Sequence, residues 1–176
     1  MEVWETIARE AARESPLWSE SLLRTEQREL VPVFSPLGEP RHALGLETIY
    51  EGYLVHYGRP RLFATADAAV ALLLGDYLYA HGLVRIAELR DLGAVEDLAE
   101  LISLCAQLRG EGGGGDGGDG AAWAATAALL GGGSLAEPRA ALREGGDPEP
   151  LAALARSAAG EAAVDRALAA HRGRLG

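Results

Sequence analysis

The chain has 176 residues with 16 basic and 26 acidic side chains, a net charge of −10, a hydrophobic share of 48% and a single cysteine. That balance speaks against nucleic acid, which needs clustered positive charge, and against docking on anionic lipid. All the basic residues are arginine, so lysine-based Schiff-base chemistry and a lysine grip on phosphate are excluded. The chain is large enough to bury a core, and its alanine and leucine content with few β-branched residues predicts packed helices.

Residues 2–14 carry Val3, Ile7 and Ala11 at helical spacing. Ser15-Pro16 reads as a cap and first turn of a second helix bearing Leu17, Trp18, Leu22 and Leu23. Pro32, Pro36 and Pro40 then make an extended connector. A third helix is predicted over 41–57, with Leu44, Ile49 and Tyr53 among its apolar contacts, ending at Gly58-Arg59-Pro60. The longest helix is predicted over 64–89. It includes Leu72-Leu73-Leu74-Gly75-Asp76-Tyr77-Leu78-Tyr79-Ala80, where Asp76 reads as an acid on a buried face. A further amphipathic helix covers 94–109, with Cys105 as a small core residue.

Residues 110–120 are mostly glycine and read as a flexible linker. Short alanine-rich helices follow near 121–130, 135–143, 150–159 and 161–172. The predicted organisation is therefore an N-terminal part over 1–40, core helices over 41–109, the linker over 110–120 and C-terminal helices over 121–176. The fold class is all-α, a helical bundle. Met1-Glu2-Val3-Trp4-Glu5 lacks a basic-then-apolar leader, and the apolar run 68–74 is too short to span a bilayer, so a cytoplasmic location with no membrane span is expected.

Common site motifs are absent. His42, His56, His81 and His171 lack metal-ligand spacing, no Gly-x-Ser-x-Gly occurs, and the glycine runs precede no Lys-Ser/Thr. Glu47 and Glu51, four apart, project from one helical face as a pair of metal ligands would. Tyr50, Tyr53 and Tyr57 lie on one helix and could edge a hydrophobic cavity.

Gly58-Arg59-Pro60 followed by the Gly75-Asp76 helix resembles the trans-polyprenyl diphosphate synthases, the isoprenoid synthase type I family. In that family Asp-Asp-x-x-Asp, preceded by His, is followed by Arg-Arg-Gly-x-Pro. Placed without gaps, Leu46 falls on the His, Glu47 and Thr48 on the paired aspartates, Glu51 on the last aspartate, and His56 and Tyr57 on the two arginines. Leu104–Glu111 and Ala125–Leu130 resemble later family segments, with Ala125 in place of a phosphate-binding lysine, and no Asp-Asp pair occurs anywhere.

The resemblance implies a truncated, degenerate isoprenoid synthase bundle without prenyltransferase activity of its own. Such a pseudoenzyme would be a partner or regulatory subunit in isoprenoid biosynthesis, in a homo-oligomer or a hetero-oligomer with a full-length prenyl synthase. If ligand binding persists, the chain would be a prenyl-chain or prenyl diphosphate binder or a divergent prenyltransferase. Glu47 and Glu51 would then hold Mg2+, Arg59 would meet the diphosphate, and Tyr50, Tyr53, Leu74 and Leu78 would line the cavity. A helical interaction scaffold unrelated to isoprenoids is the third reading.

Overall fold

The computed structural model describes residues 2–110, 118–133 and 135–175. Among them lie nine α-helices, three short 3-10 turns and no strand, so the protein is all-α. The helices are α1 (Glu2–Glu14), α2 (Pro16–Ser21), α3 (Ala43–Tyr57), α4 (Ala68–Glu88), α5 (Leu92–Gly110), α6 (Asp119–Ala128), α7 (Ala136–Gly145), α8 (Glu149–Ala159) and α9 (Glu161–Leu175).

Local chemistry sets the boundaries. Ser15 accepts a hydrogen bond from the Leu17 amide, and Pro16 opens α2 where no amide donor is needed. α2 stops at Ser21, earlier than its apolar pattern suggests, because Leu22 and Leu23 pair in extended form with Leu62 and Phe63. The Leu23 amide donates to the Leu62 carbonyl at 2.9 Å. α4 begins at Ala68, four residues later than predicted, because the Asp67 carboxylate caps the Ala69 amide at 2.8 Å. Asp91 caps α5 in the same way through the Ala94 amide at 3.0 Å. Gly146 and Gly160, at φ 66° and 87°, occupy the left-handed region that ends α7 and α8.

Two helices form the interior. Every residue of α3 from Gly45 to Leu54 is buried, as is every residue of α6 from Asp119 to Ala127. They meet through rings: Tyr50 and Tyr53 pack against Trp123 at 5.0 and 5.6 Å between centroids. This core also takes in Val33, Leu98, Leu142, Leu151 and Val164, so the alanine-rich C-terminal helices share it with the helices of 41–109. A second cluster gathers Trp4, Ile7, Trp18, Phe63, Leu74 and Leu78 under α1 and α2. Residues 111–117, most of the predicted linker, lie outside the described residues. Its end, Asp119-Gly120, opens α6.

α4 packs antiparallel on α3, with Gly45 facing Gly82 and Gly52 facing Gly75. It buries Leu74, Gly75, Leu78, Gly82, Arg85 and Ile86. Its opposite side is exposed at Ala69, Leu72, Leu73, Ala80, Val84 and Ala87. Asp76 belongs to that outer side, with its side chain 64% exposed, which corrects the reading of a buried acid.

Candidate functional site

Glu47 and Glu51 do share one face of α3, and the residue they face is Arg61, fully buried between them. Arg61 Nη1 donates to Glu47 Oε2 at 2.5 Å and Nε donates to Glu51 Oε2 at 2.9 Å. The remaining carboxylate oxygens are also taken. Ser35 donates to Glu47 Oε1, and the amides of Arg61 and Leu62 both donate to Glu51 Oε1 at 2.7 Å. The guanidinium lies between the rings of Trp4 and Tyr50, 4.5 and 4.9 Å from their centroids. Burial alone would depress the Arg61 pKa, but the charges of Glu47 and Glu51 outweigh it and raise it.

Magnesium needs several oxygens in near-octahedral array. Here every Glu47 and Glu51 oxygen already accepts a hydrogen bond, so this pair does not fit the ion. Among the described residues no three His, Cys, Asp or Glu side chains form a group that could hold a metal.

The tyrosines and leucines expected around one cavity are all buried, but they divide between the two clusters. Tyr50 and Tyr53 join the first, Leu74 and Leu78 the second. The space beside the tyrosines is filled by Phe34, Trp123 and His171. Their hydroxyls are committed to a polar network. Tyr50 Oη lies 2.9 Å from His171 Nδ1, and the Tyr53 hydroxyl donates to Asp119. Arg109 reaches the same Asp119 oxygen with Nε at 2.9 Å and with Nη2. His171 Nε2 is buried 3.6 Å from Asp119 Oδ1, beyond hydrogen-bond length. Burial pushes the Asp119 pKa up, yet His171, the Tyr53 hydroxyl and Arg109 together carry it down to about 2. Burial raises both tyrosine pKa values. The Cys105 thiol is buried and its pKa is raised by that burial, which leaves it protonated and inert.

Arg59 sits apart from Glu47 and Glu51 in side-chain chemistry. It is 61% exposed and pairs with Glu29. It stands at the mouth of a cavity of about 460 Å3 whose wall includes Leu74, the one member of the expected lining found there. Sequence reasoning missed the ion pairs that organise the interior: Arg61 with Glu47 and Glu51, Arg109 with Asp119, and Arg139 with Asp97 at 2.9 Å. An arginine carries no sequence mark of its burial, and Asp119 is hidden in a stretch that reads as linker. The glycines at 45, 52, 75 and 82, each pair seven apart, were a visible signal of close helix contact.

Comparison of the chain with protein-family models, with curated proteins and with solved structures finds no match.

Proposed function

We propose that this chain is a non-catalytic subunit that docks through the outward side of α4 on a partner chain of helical architecture. The observation that carries the reading is the composition of that side. From Ala69 to Ala87 its exposed positions hold one ionisable residue, Asp76, amid alanine, leucine and valine. Leu72, Leu73 and Val84 are 56%, 54% and 53% exposed. A helix that is apolar all round belongs inside a larger assembly or a membrane, whereas an ordinary surface helix is polar outside. α4 alone among the described helices has the length and hydropathy of a membrane span, and 33% of its apolar window is buried in the bundle.

The charge pattern favours a different chain over a second copy. Asp76 stands in the middle of the apolar side, and its partner here is His56, at 3.3 Å. A partner helix with one arginine or lysine among apolar residues complements it, while two copies, each of net charge −10, repel. The engagement of Glu47 and Glu51 by Arg61 supports a role without metal-assisted prenyl transfer. The resemblance over residues 58–83 directs the search for the partner to full-length polyprenyl diphosphate synthases.

The test is co-expression with a full-length polyprenyl synthase of the same genome, read by light scattering. A defined hetero-complex is expected, abolished by the double variant Leu73→Glu, Val84→Glu with helicity and Tm retained. A complex that survives the double variant would overturn the docking face. A homodimer, or capture by neutral vesicles with no hetero-complex, would replace the partner with a second copy or a membrane.

A further inference from the structure

We propose that the cavity at the Gly58-Arg59-Pro60 corner is a binding site for a small amphipathic carboxylate, an aliphatic or aryl body of roughly a dozen heavy atoms bearing one negative charge. The inference is independent of the docking reading, because the cavity opens between the end of α3, the 23–29 segment and the start of α4, and does not use the outward side of α4.

The cavity holds about 460 Å3, within the range of small-molecule sites. Its apolar wall comes from Leu23, Val55, Phe63, Ala71 and Leu74, and its polar edge from Gln27, Glu29, Arg59 and Thr65. Phe63 and Leu74 are 1% and 0% exposed, so they back the wall from within the core and hold it in place, while the half-buried Leu23, Val55 and Ala71 offer the surface a ligand covers.

The polar edge has an imbalance of charge. Glu29 accepts from two arginines: Arg59, and Arg174 Nη2 at 2.9 Å. Arg174 is nearly buried at 8% side-chain exposure, and its Nη1 also reaches the Arg59 carbonyl at 3.4 Å. One carboxylate thus serves two guanidinium groups in a chain of net charge −10. Arg174 can keep Glu29 while the exposed Arg59 turns to a ligand, so among the described residues the corner has one cation to spare.

A planar guanidinium takes a carboxylate in two parallel hydrogen bonds. The single spare charge matches a monoanion, and a diphosphate would bring its further negative charges beside Glu29 without cations to meet them. The apolar wall supplies the affinity and Arg59 the selection of the head group.

The experiment is calorimetric titration of the full chain with sodium decanoate, at monomeric concentrations and near neutral pH, at two temperatures. Decanol, decyl phosphate and farnesyl diphosphate serve as comparison ligands. Decanoate is expected to bind with one site per chain. Arg59→Gln should weaken it about tenfold, the worth of a charge-assisted pair. Glu29→Gln should tighten it several-fold by freeing Arg59, a gain that misfolding cannot mimic. Absence of binding at both temperatures would overturn the proposal. So would decanol binding as tightly as decanoate, farnesyl diphosphate binding more tightly, or affinity unchanged in both variants.

Discussion

Gly52 of α3 and Gly75 of α4 face each other so closely that a Cβ on Gly52 would lie 3.0 Å from the Gly75 carbonyl oxygen. One heptad away Gly45 and Gly82 repeat the relationship, with a Cβ on Gly45 3.3 Å from the Gly82 carbonyl. The intervening Ile49 packs over Gly82, and Ile86 over Gly45. Two helices can approach to this distance only where side chains are missing on both. The seven-residue spacing keeps the glycines in one line along an antiparallel pair.

Gly52→Ala is therefore expected to destabilise the protein by about 1–3 kcal/mol, the cost of overpacking. In an open helix the same change would stabilise by up to about 1 kcal/mol. Gly173, exposed in α9 with nothing within 4 Å of its Cβ position, is the contrasting site, and Gly173→Ala should stabilise. Urea unfolding of the two variants reads both signs, and a stabilising Gly52→Ala would refute the close crossing.

Arg61→Met should cost about 3–5 kcal/mol, because it strands two carboxylates in the interior. The triple variant Glu47→Gln, Glu51→Gln, Arg61→Met should recover much of that loss in equilibrium denaturation. Equal loss in the single and triple variants would mean that packing against Trp4 and Tyr50, not charge, is what Arg61 supplies.

Asp119 makes the protein acid-sensitive. Its pKa is held at about 2 in the fold, below the unfolded value near 3.9, so the native state binds fewer protons and stability falls as pH drops. Its contribution, about 2–3 kcal/mol, is fully present above the unfolded pKa and is lost between about pH 4 and 2. Asp119→Asn should flatten the pH dependence of unfolding free energy in that window and change little of its slope above pH 5. An unaltered slope between pH 4 and 2 would exclude Asp119 as the acid-sensitive group.

Asp76→Ala should change stability by less than about 0.5 kcal/mol, since the carboxylate is 64% exposed and burial lowers the pKa of its neighbour His56, which disfavours the charged imidazolium an ion pair needs. A buried acid would have behaved otherwise. A loss above 1 kcal/mol by thermal unfolding would contradict its outward position.

The helices themselves were legible in the sequence, because capping residues and 3.6-residue periodicity are local properties. α1 runs over the predicted 2–14, and α3 ends at the Gly58 corner. The shared face of Glu47 and Glu51 was likewise readable. What they meet was not, since Arg61 is brought to them by the fold of the connection after α3. α4 was misread for a specific reason. Its sequence carries large apolar residues on both sides, so periodicity could not say which side turns inward, and Asp76 was assigned to the wrong one. The cavity at the corner depends on Leu23, Glu29 and Arg174 meeting across distant stretches of chain, and no spacing rule brings them together.

The dehydrated cluster of Glu47, Arg61 and Glu51 also shapes how the protein responds to warming. Water solvates ions less favourably as temperature rises, so keeping this cluster dry becomes less costly while the gain from burying hydrocarbon levels off. Heat should therefore narrow any advantage that an all-hydrocarbon replacement holds at room temperature. The cluster contributes most near the upper end of the protein's melting range.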